Sequence, residues 1–169
     1  MRKSLLSLAL AACSSSDDDG GSGEGSGSVS VNSTEPENPL IPSNTNEVGS
    51  GNVIDGIFTG LVRLDAETAE PILAVAESIE SDDNQNWTIT LKEGWTFHDG
   101  TDVTAQSFVD AWNWAAYGPN AQLNSYFFGP DGASIQGYDE LQGEDADGDG
   151  EISEDEATVT EMSGLQVVD

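Results

Sequence analysis

Between Ser14 and Gly51 the chain is built almost entirely from Ser, Gly, Asp, Glu, Asn and Pro, with almost no apolar periodicity. Such a segment buries too little apolar surface to offset the entropy lost on ordering it. Of the 169 residues, little more than about a hundred are left to build a core, which is the size of one ordinary domain. Two complete lobes do not fit within this length.

Charge narrows the functions further. Four Lys and Arg stand against 32 Asp and Glu, a formal net charge of -28, and two of the four basic residues are Arg2 and Lys3. The field of such a body repels nucleic acid and anionic lipid, and favours cations, cationic ligands and solubility. A nucleic-acid-binding role is therefore excluded. The plain meaning of the acidity is a solvated surface, one suited to high salt. Cys13 is the single cysteine, so no internal disulfide forms.

The position of that cysteine is informative. Met1, Arg2 and Lys3 make a short positive start, and residues 4–12 form an apolar run ending in small residues before Cys13. The order is that of a signal peptide, and the run is too short to span a bilayer. Leu10, Ala11, Ala12 and Cys13 resemble a bacterial lipobox, which implies lipidation of the Cys13 sulfur. The polar, Gly-rich residues 14–28 read as a hydrated tether. Anchor and tether together predict a protein held at the membrane by lipid alone and working above it, in the periplasm or at the cell surface.

The body should start near residue 29. A short strand is expected over 29–31, and the prolines at 36, 39 and 42 keep the following stretch extended or turning. Val53, Ile54, Ile57, Phe58 and Leu61 recur at helical spacing, predicting a helix over about 47–59. A strand is expected over 61–64, a turn at 65–67 and a second apolar stripe over 71–79. Trp87, Ile89 and Leu91 alternate with polar residues as a half-buried strand, and Trp95 and Phe97 resume the alternation after a turn at Glu93 and Gly94. Thr104 caps a helix whose Ala105, Phe108, Val109, Trp112 and Ala116 share one face, and Gly118 and Pro119 end it. Strands and helices mixed without regular alternation predict an α+β or mixed α/β body. Trp87, Trp95 and Trp112 occupy apolar periodic positions and read as core. His98, the lone histidine, reads as a turn residue with no triad around it.

Three segments together carry a family resemblance: VIDGIFTGLVRLD, NWTITLKEGWTFHDGTDVTAQSFVDAWNWA, and the SYFFG and IQGYDELQG pair. They resemble the N-terminal lobe of the peptide and nickel type solute-binding proteins, solute-binding family 5, over residues 31–143. The resemblance implies a partial lobe of a two-lobed, type II periplasmic-binding-protein-like fold, a binding protein and not an enzyme. It further implies capture of a peptide or other small solute outside the membrane and delivery to an ABC permease, by a monomer. Extended backbone at Ser33, Thr34, Glu35 and Pro36 matches the stretch that pairs with bound peptide in the family, although Pro36 lacks one donor. Thr34 and Glu35 are thereby candidate ligand contacts. Tyr126 falls where the family presents an aromatic residue to its cleft, with a core position for Tyr126, Phe127 and Phe128 as the alternative. The carboxylate that holds a peptide's amino end in the family lies beyond this sequence. The 169 residues are accordingly expected to be an N-terminal piece that binds no peptide alone, with residues 158–169 beginning the continuing lobe.

Residues 144–157 form a separate unit within that body. Asp145, Asp147, Asp149, Gly150, Glu151, Ser153 and Glu156 match positions 1, 3, 5, 6, 7, 9 and 12 of a calcium-binding EF-hand loop. Oxygens from Asp145, Asp147 and Asp149, the Glu151 carbonyl, Ser153 and both oxygens of Glu156 would suit Ca2+ better than zinc or magnesium. The flanks do not predict a helix-loop-helix, because residues 138–143 are short and Thr158, Val159 and Thr160 are β-branched. An acidic, turn-rich surface insertion is the competing reading. A calcium-binding cell-surface module is the alternative function for the chain as a whole.

Overall fold

The computed structural model describes residues 30–168. Cys13, the apolar run before it and the tether lie outside the described residues, as does Val29. Ser30 and Val31 form no regular element and are exposed. The contacts divide the chain into residues 1–32 and 33–169, and the elements below all belong to the second unit.

Helix α1, Val48–Ile57, begins where Glu47 caps it: both carboxylate oxygens accept from the Ser50 amide at 3.0 Å. Glu47 therefore stands outside the helix, and Phe58 leaves it at the other end with its amide still donating to the Ile54 carbonyl. The expected span was longer by residues at both ends. Before α1, a 3-10 turn at Pro42–Asn44 follows from the fixed φ of proline.

Strands β1, Val62–Leu64, and β2, Pro71–Leu73, pair antiparallel with Arg63 opposite Ile72. Their turn is organised by one carboxylate, Asp65 Oδ1, which accepts from the amides of Glu67 and Thr68 and from the Thr68 hydroxyl at 2.9–3.1 Å. The apolar stripe over 71–79 divides into two strands, because Ala74 and Val75 turn the chain from β2 into β3, Ala76–Glu80. Strand β4, Thr88–Leu91, pairs antiparallel with β3, with Ile79 opposite Ile89. Two-stranded sheets are marginal alone, and these two are joined through buried Ala74, Val75 and Ala76. Lys92 locks the junction: its Nζ donates to the Leu73 and Ala74 carbonyls at 3.0 and 2.8 Å.

Helix α2, Ala105–Ala116, has the Thr104 cap expected of it. Thr104 Oγ1 accepts from the Ser107 amide, and Ser107 Oγ accepts from the Thr104 amide. Gly118–Asn120 ends it as a 3-10 turn. The five-residue helix α3, Tyr138–Gln142, then packs against α2. Ala116, Leu141 and Met162 form the buried cluster, surrounded by Trp112, Tyr117, Phe128, Ile135, Tyr138 and Leu165. Phe108 meets the Trp112 ring edge-on, with ring centres 6.4 Å apart.

Trp112 lies against the core as expected, but Trp87 is 55% exposed and Trp95 is 36% exposed. Trp87 stands just outside β4. The segment after β4 makes one bridge, Thr96 to Asp102, rather than a hairpin with a covered face. Alternation there marks one side of a thin ribbon, and no described element covers it. His98 sits exposed in the turn beside Gly100, whose φ is +88°.

Candidate functional site

The residues expected to meet a ligand come from the start of the body and from the turn after α2. Thr34 and Glu35 lie exposed in a stretch that forms neither helix nor strand. That backbone runs against the start of α1, where a side chain on Gly49 would meet the Thr34 carbonyl oxygen at 2.9 Å, and the Glu37 amide reaches Glu47 Oε1 at 3.4 Å. The Pro42–Asn44 turn is in turn tied to the segment leading to Tyr126. Asn124 Nδ2 donates to the Pro42 and Thr45 carbonyls, the Asn124 amide donates to the Ser43 carbonyl, and Ser43 Oγ donates to Gln122. Residues about 80 apart in sequence are thereby fixed side by side.

Tyr126 lies in the 3-10 turn Ser125–Phe128. It is 48% exposed and its ring is stacked on Phe127, itself 55% exposed, with centres 4.4 Å apart. Among the described residues both rings are exposed, whereas Phe128 turns inward against Trp112 at 6.2 Å. The Phe127 and Phe128 carbonyls accept from the Ala133 and Ile135 amides, so the turn is held by its own return segment.

The acidic loop is the most ordered polar arrangement. One carboxylate oxygen each from Asp145, Asp147 and Asp149 lies within 4.8 Å of the others. Asp145 accepts from the Gly148 and Gly150 amides, and Asp147 and Asp149 accept from the amides two residues on. Gly150 has φ +90°, as the sharp turn at that position requires. Glu151 and Glu156 are not part of that trio. Glu156 accepts from the Ala146, Asp147 and Ser153 amides and from the Ser153 hydroxyl, and these bonds pull its carboxyl down from 4.5 to about 2. Glu156 thus staples the two ends of the loop, while the aspartates converge within it.

The base of the loop is anchored in the core. Gly143, at φ +75°, stands where an added side chain would meet the Ala157 side chain and the Glu156 carbonyl at 2.9 Å. The Tyr117 hydroxyl donates to the Ala157 carbonyl at 3.1 Å, and buried Asn113 accepts from the Met162 amide at 2.8 Å. Sequence reasoning missed Asn113. The available signal was a polar residue four positions after Val109, on the apolar face of α2. Among the described residues no helix leaves the loop, in keeping with the β-branched residues that follow it.

Residues 70–161 match the family model described as bacterial extracellular solute-binding proteins, family 5 Middle. The chain belongs to this solute-binding family. The match runs from β2 through both hairpin partners, α2, α3 and the acidic loop, and the mixed α/β body is a fragment of a family 5 lobe. Over 94 residues the chain is 39% identical to the oligopeptide-binding protein OppA of Bacillus subtilis (strain 168), covering 55% of this chain and 17% of that protein. Over 60 residues it is 45% identical to the periplasmic murein peptide-binding protein MppA of Escherichia coli (strain K12), covering 36% of this chain and 11% of that one. The solved structure of the E. coli murein tripeptide binding protein MppA aligns with a TM-score of 0.60 at 31% identity, covering 65% of this chain and 21% of that chain. The family 5 segment in hand thus spans at most 21% of the length of these relatives.

Proposed function

We propose that the protein is the substrate-binding component of an ABC importer, capturing oligopeptides or a related solute outside the membrane and delivering them to a permease. The carrying observation is the family 5 match over residues 70–161, with relatives named for peptide binding. The exposed main chain at Thr34 and Glu35, outside any helix or strand, and the exposed Tyr126–Phe127 stack are surfaces a bound peptide could use. This role needs no catalytic group, and His98 stands alone in its turn. The test is uptake of labelled tri- to pentapeptides by cells with and without the gene. Loss of uptake on deletion, restored by the natural gene, is the expected result, and unchanged uptake of every peptide would refute it.

Location follows from the N-terminal sequence. Lipid on Cys13, followed by the Gly-rich tether, would hold the protein at the outer face of the membrane. Among the described residues no helix is long and apolar enough to cross a membrane. Labelled palmitate should enter the natural protein and be absent from Cys13→Ser, which should appear in the soluble fraction.

A second reading concerns the acidic loop, favoured by the convergence of Asp145, Asp147 and Asp149 within a full twelve-position spacing. Bound Ca2+ would supply charge compensation to three carboxylates that otherwise repel one another. Terbium luminescence competed by calcium should detect it in the natural protein. Glu156→Gln should weaken it at least about tenfold, because one ligating charge is gone.

A further inference from the structure

The body has almost no cations of its own to set against its acids. Among the described residues the basic side chains are Arg63 and Lys92. Lys92 spends its ammonium on the Leu73 and Ala74 carbonyls, and Arg63 acts on Asp65 only as a minor electrostatic influence. Two such cations cannot pair with most of the carboxylates there. No Asp or Glu is buried there either, since the buried polar residues are Ser50 and Asn113. The carboxylates instead take amide and hydroxyl donors from their own turns, as Asp65, Asp83, Asp99 and Glu156 do. Those donors hold the groups ionised and leave the net charge untouched.

Folding therefore gathers like charges onto a small surface without pairing them. The repulsion is greater in the compact state than in the extended chain, and dissolved cations are what remains to reduce it. The screening length falls from about 10 Å at 0.1 M salt to about 3 Å at 1 M. A protein working outside the membrane meets the ionic strength of the medium directly.

We propose that the folded body is stabilised by a diffuse cation atmosphere, so that its stability rises with monovalent salt, and that the protein works in a salt-rich medium. The proposal needs no localised metal site and stands independently of the transport reading.

The experiment follows thermal unfolding of the complete natural polypeptide from about 0.05 to 2 M NaCl and KCl, with hydrogen exchange in α2 as a local readout. The midpoint should climb continuously by at least about 5 °C, equally in the two salts, because screening depends on ionic strength. Two non-overlapping triple variants at exposed positions, E67Q/E77Q/E80Q and E93Q/D131N/E140Q, should each unfold later than the natural protein at low salt and show a shallower salt slope. Glu156→Gln should keep the natural slope. A flat or falling midpoint would overturn the proposal. So would an equal slope in the natural protein and both triple variants, which would assign the rise to general salt effects on burial. A slope abolished by Glu156→Gln alone would overturn it in favour of a localised loop site.

Discussion

The cluster of Ala116, Leu141 and Met162 and the loop over residues 145–156 lie next to each other in sequence and are held by opposite means. In the cluster, apolar side chains leave water and one buried amide is matched by Asn113. In the loop the acids are exposed, Glu156 alone being half-buried, and order comes from carboxylates collecting nearby amides. The first kind of order depends on the shape and volume of residues distant in sequence. The second depends on residue types at short fixed offsets. Mutations should therefore damage the cluster and leave the loop's local bonds intact, or the reverse, and Gly143 and Tyr117 are where the two meet.

The strongest challenge to that separation is Leu141→Ala. Leu141 is fully buried between α2 and Met162, so the truncation should cost about 2–5 kcal/mol in denaturant unfolding of the complete polypeptide. A cost near zero would mean that the cluster is not what holds this part of the lobe. Asn113→Ala comes next. It leaves the Met162 amide buried without a partner, at a cost of about 1–3 kcal/mol. Thr104→Ala removes the α2 cap and should cost about 1 kcal/mol, read from the same unfolding curves.

The smallest effect on global stability belongs to the loop, and pH sharpens it. The Glu156 carboxyl is lowered from 4.5 to about 2 in the folded protein. Its contribution is therefore fully present above the ordinary value and is lost as pH falls through about 2. The Ala146 and Ser153 amides should keep their protected chemical shifts from neutral pH to below 4.5 and lose them only near the lower value, as followed by NMR. In Glu156→Gln that titration should vanish while the unfolding midpoint of the cluster stays unchanged. Loss of α2 protection in this variant would show that the loop supports the core rather than projecting from it.

Much of the fold could be read from residues whose roles are local. Thr104 and Ser107 mark the start of α2, Gly118 and Pro119 its end, and the Thr88–Leu91 alternation is a strand because one of its faces is half-buried. The aspartate spacing likewise carries its own geometry, since each carboxylate reaches amides only a few residues away. What sequence did not reveal depends on distant partners. Trp87 and Trp95 have the periodicity of core residues but stay 55% and 36% exposed. Tyr126 and Phe128 differ in burial because the 3-10 turn rotates one ring outward and the other onto Trp112, a choice set by α2 rather than by the SYFFG string. Asn113 and Met162, 49 residues apart, meet only once α2 and the chain after the loop are packed.

The transport reading and the calcium-module alternative divide most cleanly on calorimetric titration of tri- to pentapeptides into the complete natural polypeptide, in excess EDTA and again in excess calcium. The account predicts saturable peptide binding of similar affinity in both, with calcium at most adding stability through the loop. No peptide heat in either condition, from a protein that is folded by its unfolding curve, would contradict it.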